Sequence, residues 1–322
     1  MAITAPTKTS DLSGFIDPVQ AGYIFERAAR NSVVMQLVPR VPLGAAGVRI
    51  PVITGRPTAG WVGEGDAKPA SAGSITPKSI EPKKLAAIMV ASQEVARLNP
   101  AQFLTVMQNS FAETFAVAFD RAALHDEGPD GSAGAGPFST YLDQTTKAQE
   151  LGDTAQADGG VFGDVTAALG KVVSDTDASG RRYALTGWAL DTVVEPVLWG
   201  AVDTTGRPIW TDLPTDDNAP AISAAGRLLG RRSFMGEGVA SINQTDVVGY
   251  GGDFSQAAWG AIGGISYRMT TEASVTINNS LVSLFEHNLI AILAEAEYGF
   301  LLNDADAFVK LTNTDADPVT SS

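Results

Sequence analysis

The 322-residue chain has no cysteine and only two histidines, His125 and His287. The first absence excludes disulfides and thiolate metal sites and fits a reducing compartment. The second leaves no histidine pair at metal-ligand spacing. Charge is scarce and one-sided: 18% of residues are charged, with 22 Lys and Arg against 36 Asp and Glu, a net charge of −14. That balance opposes tight attachment to phosphate backbones or anionic lipid, so nucleic acid is expected as a neighbour and not as a ligand. No run of about twenty apolar residues marks a membrane span. The opening MAITAPTKTSDLSG lacks the basic-then-apolar order of a signal peptide. These absences predict a chain made and used in solution, without cofactor, metal or membrane.

What is present is apolar: 44% of residues are hydrophobic, enough for a sizeable core, and the length predicts two lobes. The chain is organised around residues 48–127. Val48 to Ser92 reads as a long hairpin carrying Pro57, Pro69, Pro77 and Pro82. Each proline removes a ladder donor, so this hairpin cannot be the centre of a buried sheet and should project. Its tip carries Trp61 and Val62, apolar side chains that need a cover. Either Trp61 folds back on its own lobe or another copy covers it. The return, Ile80 to Ser92, is apolar enough in KKLAAIMVAS to join the main sheet at its end.

Pro100 to Asp126 then reads as one helix. Asn99 can cap it, Gln102 sits at the capping-box position and Leu98 with Phe103 is spaced as a hydrophobic staple. Phe103, Met107, Phe111, Phe115 and Phe119 recur every four residues as one aromatic stripe. A cofactor groove can use such a stripe, but a packed core is the better reading. Asp126 and Glu127 oppose the helix dipole, which leaves Gly128 and Pro129 to stop the helix.

Elsewhere, Pro18 to Asn31 is predicted helical behind Asp17, and Val33 to Val41 extended around Pro39. Residues 128–160, rich in Gly, Ala, Ser, Thr and Asp, read as a boundary or exposed insertion. Val161 to Val173 has helical spacing. RRYALTG reads as a strand, Trp188 to Trp199 as a helix strained at Pro196, and 203–220 as a surface loop. Short strands follow at Ser233–Met235, Asp246–Tyr250, Trp259–Ile262 and Ile265–Met269. Two long ones close the chain, separated by the turn residues Asn303 to Asp306.

Catalytic groups are few. His125 falls at a helix end and His287 in a strand beside Glu286, both read as structural or surface residues. Gly63 and Gly65 in GEGDAK lack the third glycine of a dinucleotide fingerprint. GDFS at 252–255 and NDAD at 303–306 lack the glycine and closing glutamate of a calcium loop, and turn formation explains both. No enzyme is expected.

In order and pattern the chain resembles the major capsid proteins of tailed double-stranded DNA bacteriophages. AGWVGEGDAKPAS with ITPKSIEPKKLAAIMVASQEV resembles the extended loop of that family, and PAQFLTVMQNSFAETFAVAFDRAALHDEGP its spine helix. RRYALTGWALDTV, GRLLGRRSFM and VVGYGGDFSQAAWGAIGGISYRM resemble its axial domain, and VSLFEHNLIAILAEAEYGFLLNDADAFVKL the closing strands of its peripheral domain. The resemblance implies an α+β chain of the HK97-type fold. Its parts would be an N-terminal arm at 1–40, an extended loop at 41–92, a peripheral domain at 93–135 with 275–322, and an axial α/β domain at 136–274. It further implies self-assembly into hexamers and pentamers of an icosahedral head in the host cytoplasm, enclosing double-stranded DNA without sequence-specific binding. A portal and, with the recognisable fold starting inside the first twenty residues, a separate scaffolding protein are the other implied partners. Trp61, Val62, Glu64 and Lys68 on the loop would make inter-subunit contacts. Some members weld subunits through a lysine and an asparagine; Lys68 lies near the loop tip, and no motif identifies an asparagine partner. An encapsulin-like compartment and a soluble α/β enzyme or binding protein are the alternatives.

Overall fold

The computed structural model describes residues 32–313 except 56, 95–99, 156–157, 178–179, 204, 213–224 and 278–279; the side chains of 100–106 are also outside it. The predicted helix at 18–31 and the cap, capping box and staple at Leu98, Asn99, Gln102 and Phe103 therefore lie outside the described residues or side chains.

The first described element corrects an expectation. Val33–Leu37 (α1) is helical, not extended. Ser32 caps it, its Oγ accepting from the Met35 amide at 3.0 Å. Asp120, far along the chain, accepts from the Val33 and Val34 amides at 2.7 and 3.2 Å. A short helix held by a distant carboxylate leaves no local pattern. It stops at Val38, which is extended because Pro39 follows.

Val48–Gly55 (β1) and Ser74–Ile80 (β2) pair antiparallel, from Val48↔Ile80 to Gly55↔Ser74, as a two-stranded sheet of their own. Pro51 faces Pro77, so one rung lacks both donors and the pair stays separate from the larger sheets. At the stem Gly47 has φ +78°, and a Cβ there would strike the Ile80 carbonyl. The return is broken at Pro82: Lys83–Ser92 (β3) leaves the hairpin and pairs with Leu289–Leu302 (β13).

Pro100–His125 (α2) is the predicted long helix. The residue that ends it is Asp126, left-handed at φ 59°, and not Gly128 or Pro129. The helix packs on a three-stranded sheet in which Ala257–Thr270 (β10) pairs with β13, and β13 with β3. The two strands expected within 259–269 are one strand, slipped in register between Ile262 and Ser266. Beyond it Ser274–Ile277 (β11) and Ser280–Ser283 (β12) form a hairpin, followed by a turn that holds His287. His287 is thus in an exposed turn, not a strand.

A seven-stranded sheet forms the rest. Its order is Ala148–Glu150 (β4), Phe308–Thr312 (β14), Val247–Gly252 (β9), Gly187–Leu190 (β5), Arg231–Met235 (β8), Ala225–Leu228 (β7), Trp210–Asp212 (β6). Gly160–Val173 (α3) lies against β4, β9 and β14. Trp188, expected to open a helix, lies within strand β5. β5 is buried at all four positions between two neighbours, so it lacks the alternation that announces a strand. A 3-10 turn at Thr192–Val194 leads into the α-helix Glu195–Gly200 (α4), with Pro196 in its first turn, where proline is unstrained. Trp210, expected in a surface loop, is buried on the edge strand β6.

Residues 128–160 are not an exposed insertion. Phe138, Leu142 and Leu151 are buried, and β4 pairs with β14. Two strands also cross the expected domain lines: β10 joins the sheet of β13, and β14 that of β9. One continuous core runs from Phe115 and Phe119 on α2 to Trp188 and Tyr250 in the larger sheet.

Candidate assembly surface

The hairpin puts the predicted contact residues at its far end. Trp61 is 108% exposed, as open as in an extended peptide, and Val62 39%. Glu64 and Lys68 are exposed as well. The tip is shaped by local bonds: the Asp66 amide donates to the Gly63 carbonyl at 3.2 Å, Gly65 takes φ +90°, and the Thr58 amide donates to Ser71 Oγ at 2.8 Å. Trp61 does not fold back on its own lobe. Lower on the stem Ile53 and Ile75 are paired across the strands, and both are mostly exposed. The stem is anchored where Lys78 Nζ donates to the Asn303 carbonyl.

Behind this arm, α2 supplies rigidity. Phe111, Phe115 and Phe119 are buried and Met107 half-buried, so the described part of the stripe is core and not a groove. Phe119 is the hub: its ring lies 5.3 Å from Tyr298, 5.9 Å from Phe138, 6.1 Å from Trp259 and 6.4 Å from Phe300. Edge and tilted ring contacts of this kind add specificity to apolar burial.

The polar groups of α2 are the part the sequence reading missed. Asp120 is fully buried; besides the α1 amides it accepts from Ser32 Oγ at 2.5 Å. Burial pushes its pKa up to about 7, against the pull of those donors. The room for it comes from Gly238, where a Cβ would press on the Asp120 side chain. A single acid inside the apolar run FAVAFDRAAL was the available signal.

His125 is buried, with Nε2 2.8 Å from the Val239 carbonyl and Nδ1 3.1 Å from Tyr250 Oη. Burial holds its pKa below the usual histidine value. Tyr250 Oη also donates to Asp143 at 3.1 Å, and Lys310 pairs with the same carboxylate at 2.8 Å. Glu127 accepts from Ser241 at 2.5 Å and from the Asn243 side chain at 3.0 Å. These contacts tie the end of α2 to β9, β14 and the 241–244 turn. Each member is occupied in holding elements together, which is the structural role expected for His125. Asp253 and Asp304 cap short turns by accepting from the Ser255 and Asp306 amides, as expected of GDFS and NDAD.

A projecting arm with an uncovered tryptophan, a long helix braced on a three-stranded sheet, and a second mixed sheet make a building block. Residues 14–313 match the family model described as the phage capsid family. The chain belongs to that family. It is 41% identical over 322 residues to the probable major capsid protein gp17 of Mycobacterium phage L5, covering 97% of this chain and 93% of the relative. The corresponding protein of Mycobacterium phage D29 is 40% identical over 314 residues, covering 96% and 93%. Among solved structures, one from Gordonia phage Cozz superposes with a TM-score of 0.67 at 20% identity, covering 95% of this chain and 93% of the other. One from Mycobacterium phage Ogopogo gives 0.66 at 22%, covering 96% and 100%. The fold is the HK97-type α+β capsid fold. The protein is the major capsid protein of a tailed phage and part of its virion, and this reading stands ahead of the compartment and enzyme alternatives.

Proposed function

We propose that this capsid protein closes its shell through the hairpin, which reaches over the neighbouring subunit and buries Trp61 and Val62 there, with Glu64 and Lys68 at the rim. The observation that carries the proposal is the complete exposure of Trp61 at the end of a two-stranded arm. A tryptophan left in water forfeits a large apolar gain that a partner surface recovers. α2 is the brace that transmits this contact to the body of the subunit. The shell is an icosahedral assembly of hexamers and pentamers formed in the host cytoplasm, aided by a separate scaffolding protein and a portal. It encloses double-stranded DNA that it does not grip, in keeping with a net charge of −14, and it performs no catalysis. Residues 1–40 serve as an arm and 41–92 as the loop; β14 belongs with the axial domain and β10 with the peripheral one.

Trp61→Asp tests the arm. The variant is expected to be soluble and folded by circular dichroism while the yield of shells in electron micrographs drops severalfold. Normal shells from that variant overturn the role given to the loop.

A further inference from the structure

A tip that must be covered implies a receiving site on the next copy, and the described surface offers a hollow of suitable chemistry. It lies between the start of β3, the last turns of α2 and the 127–138 segment, and measures about 240 Å³. That is roughly the share of eight waters at ~30 Å³ each, the scale of one large side chain and below that of a cofactor pocket. Phe119, Phe138 and Tyr298 form its inner wall, and the exposed Pro129, Ala135 and Pro137 its rim. Lys83 and Lys84 stand at its mouth.

We infer that this hollow is the socket for Trp61 of a neighbouring copy, with the acidic tip of the arriving hairpin, Glu64 and Asp66, meeting Lys83 and Lys84. The inference rests on the lateral role proposed for the loop and names where the loop lands. Three observations favour this occupant. The wall is a cluster of rings already in tilted and edge contact, at 5.3 and 5.9 Å, and an indole extends such a cluster. Charge favours an acidic tip at the lysine side of the mouth, because the carboxylate of Glu127, which also lines the hollow, is taken up by Ser241 and Asn243. Lys83 is paired with Glu81 at 3.2 Å and Lys84 with Glu295 at 2.6 Å, but both pairs reach the surface; such pairs contribute little, and a lysine can turn to a new carboxylate or stand over the indole face. Finally, Trp61 is fully exposed in its own chain, so the tip that fills this hollow comes from another. A second hollow, about 310 Å³, lies under the hairpin's own stem at Ile50–Ile53 and has no aromatic wall.

The absence of cysteine makes the test direct, because any disulfide comes from an introduced pair. Val62→Cys is combined with Ala135→Cys at the rim, and in a control with Leu281→Cys, which is 75% exposed on the β11–β12 hairpin. Assembled shells are oxidised and run on denaturing gels with and without reductant. The expected result is a ladder of two or more chains for the rim pair, collapsing on reduction, and monomer for the control. Shells that yield only monomer from the rim pair, or equal ladders from both pairs, overturn the socket. Trp61→Asp separates the two proposals: impaired assembly without a rim disulfide removes the socket alone, and normal assembly removes the loop contact beneath it.

Discussion

Asp120 and His125 sit on one helix and respond to acid in opposite directions. The pKa of Asp120 is raised by burial to about 7. The folded chain therefore holds this proton more tightly than the unfolded one. Its contribution is fully present below the ordinary carboxylate value near 3.8 and is lost as pH rises through about 7. His125 has a lowered pKa, so unfolding takes up a proton below its ordinary value of 6.5, and stability is lost as pH falls below that point. Asp120→Asn keeps the shape but replaces one acceptor oxygen by a donor, leaving the α1 amide that faces it unpaired at a cost of about 1–3 kcal/mol. In thermal unfolding of the unassembled subunit, the deficit of Asp120→Asn should be greatest near pH 4 and shrink toward pH 7. A deficit that does not vary with pH would falsify the raised pKa. His125→Gln should flatten the loss of stability between pH 6.5 and 5; an unchanged slope in that window would mean that His125 does not set it.

At the scale of elements, α2 and the hairpin bear opposite demands, one rigid and buried, the other projecting. Phe119→Ala removes the ring shared by Phe138, Trp259, Tyr298 and Phe300, and should cost about 3–5 kcal/mol in chemical denaturation of the subunit. A loss below about 1 kcal/mol would mean that the site collapses around the gap. Both elements were legible in the sequence because each writes a local pattern: phenylalanine every fourth residue, and prolines spaced along an extended run. β5 was not, since a strand buried on both faces shows an apolar block with no period, and the block GWALDTVVEPVLW can be read as helix. α1 was missed for a different reason, its first-turn amides being satisfied by a residue on another helix. The socket wall was half legible. Phe119 stood out in the stripe, but Phe138 lay in a glycine-rich stretch read as a boundary, and only tertiary packing brings Tyr298 beside it.

The whole molecule carries its acid into every contact with its own kind. With a net charge of −14, copies repel at low ionic strength. Screening shortens from about 30 Å at 0.01 M salt to about 8 Å at 0.15 M, so light scattering should show assembly accelerating over that range; a rate independent of salt would mean that the meeting surfaces are locally neutral. The path of the chain sets a further condition. β14, the last described strand, is seated between β9 and β4, and it bonds β4 in parallel with Lys310 opposite Ala148. Until residues 308–312 have left the ribosome, that slot stays empty, and the edges of β4 and β9 that they will join remain bare. The subunit thus carries its own clock: β14 must emerge before the sheet can close, and a chain that stops short of it cannot pass as a finished brick.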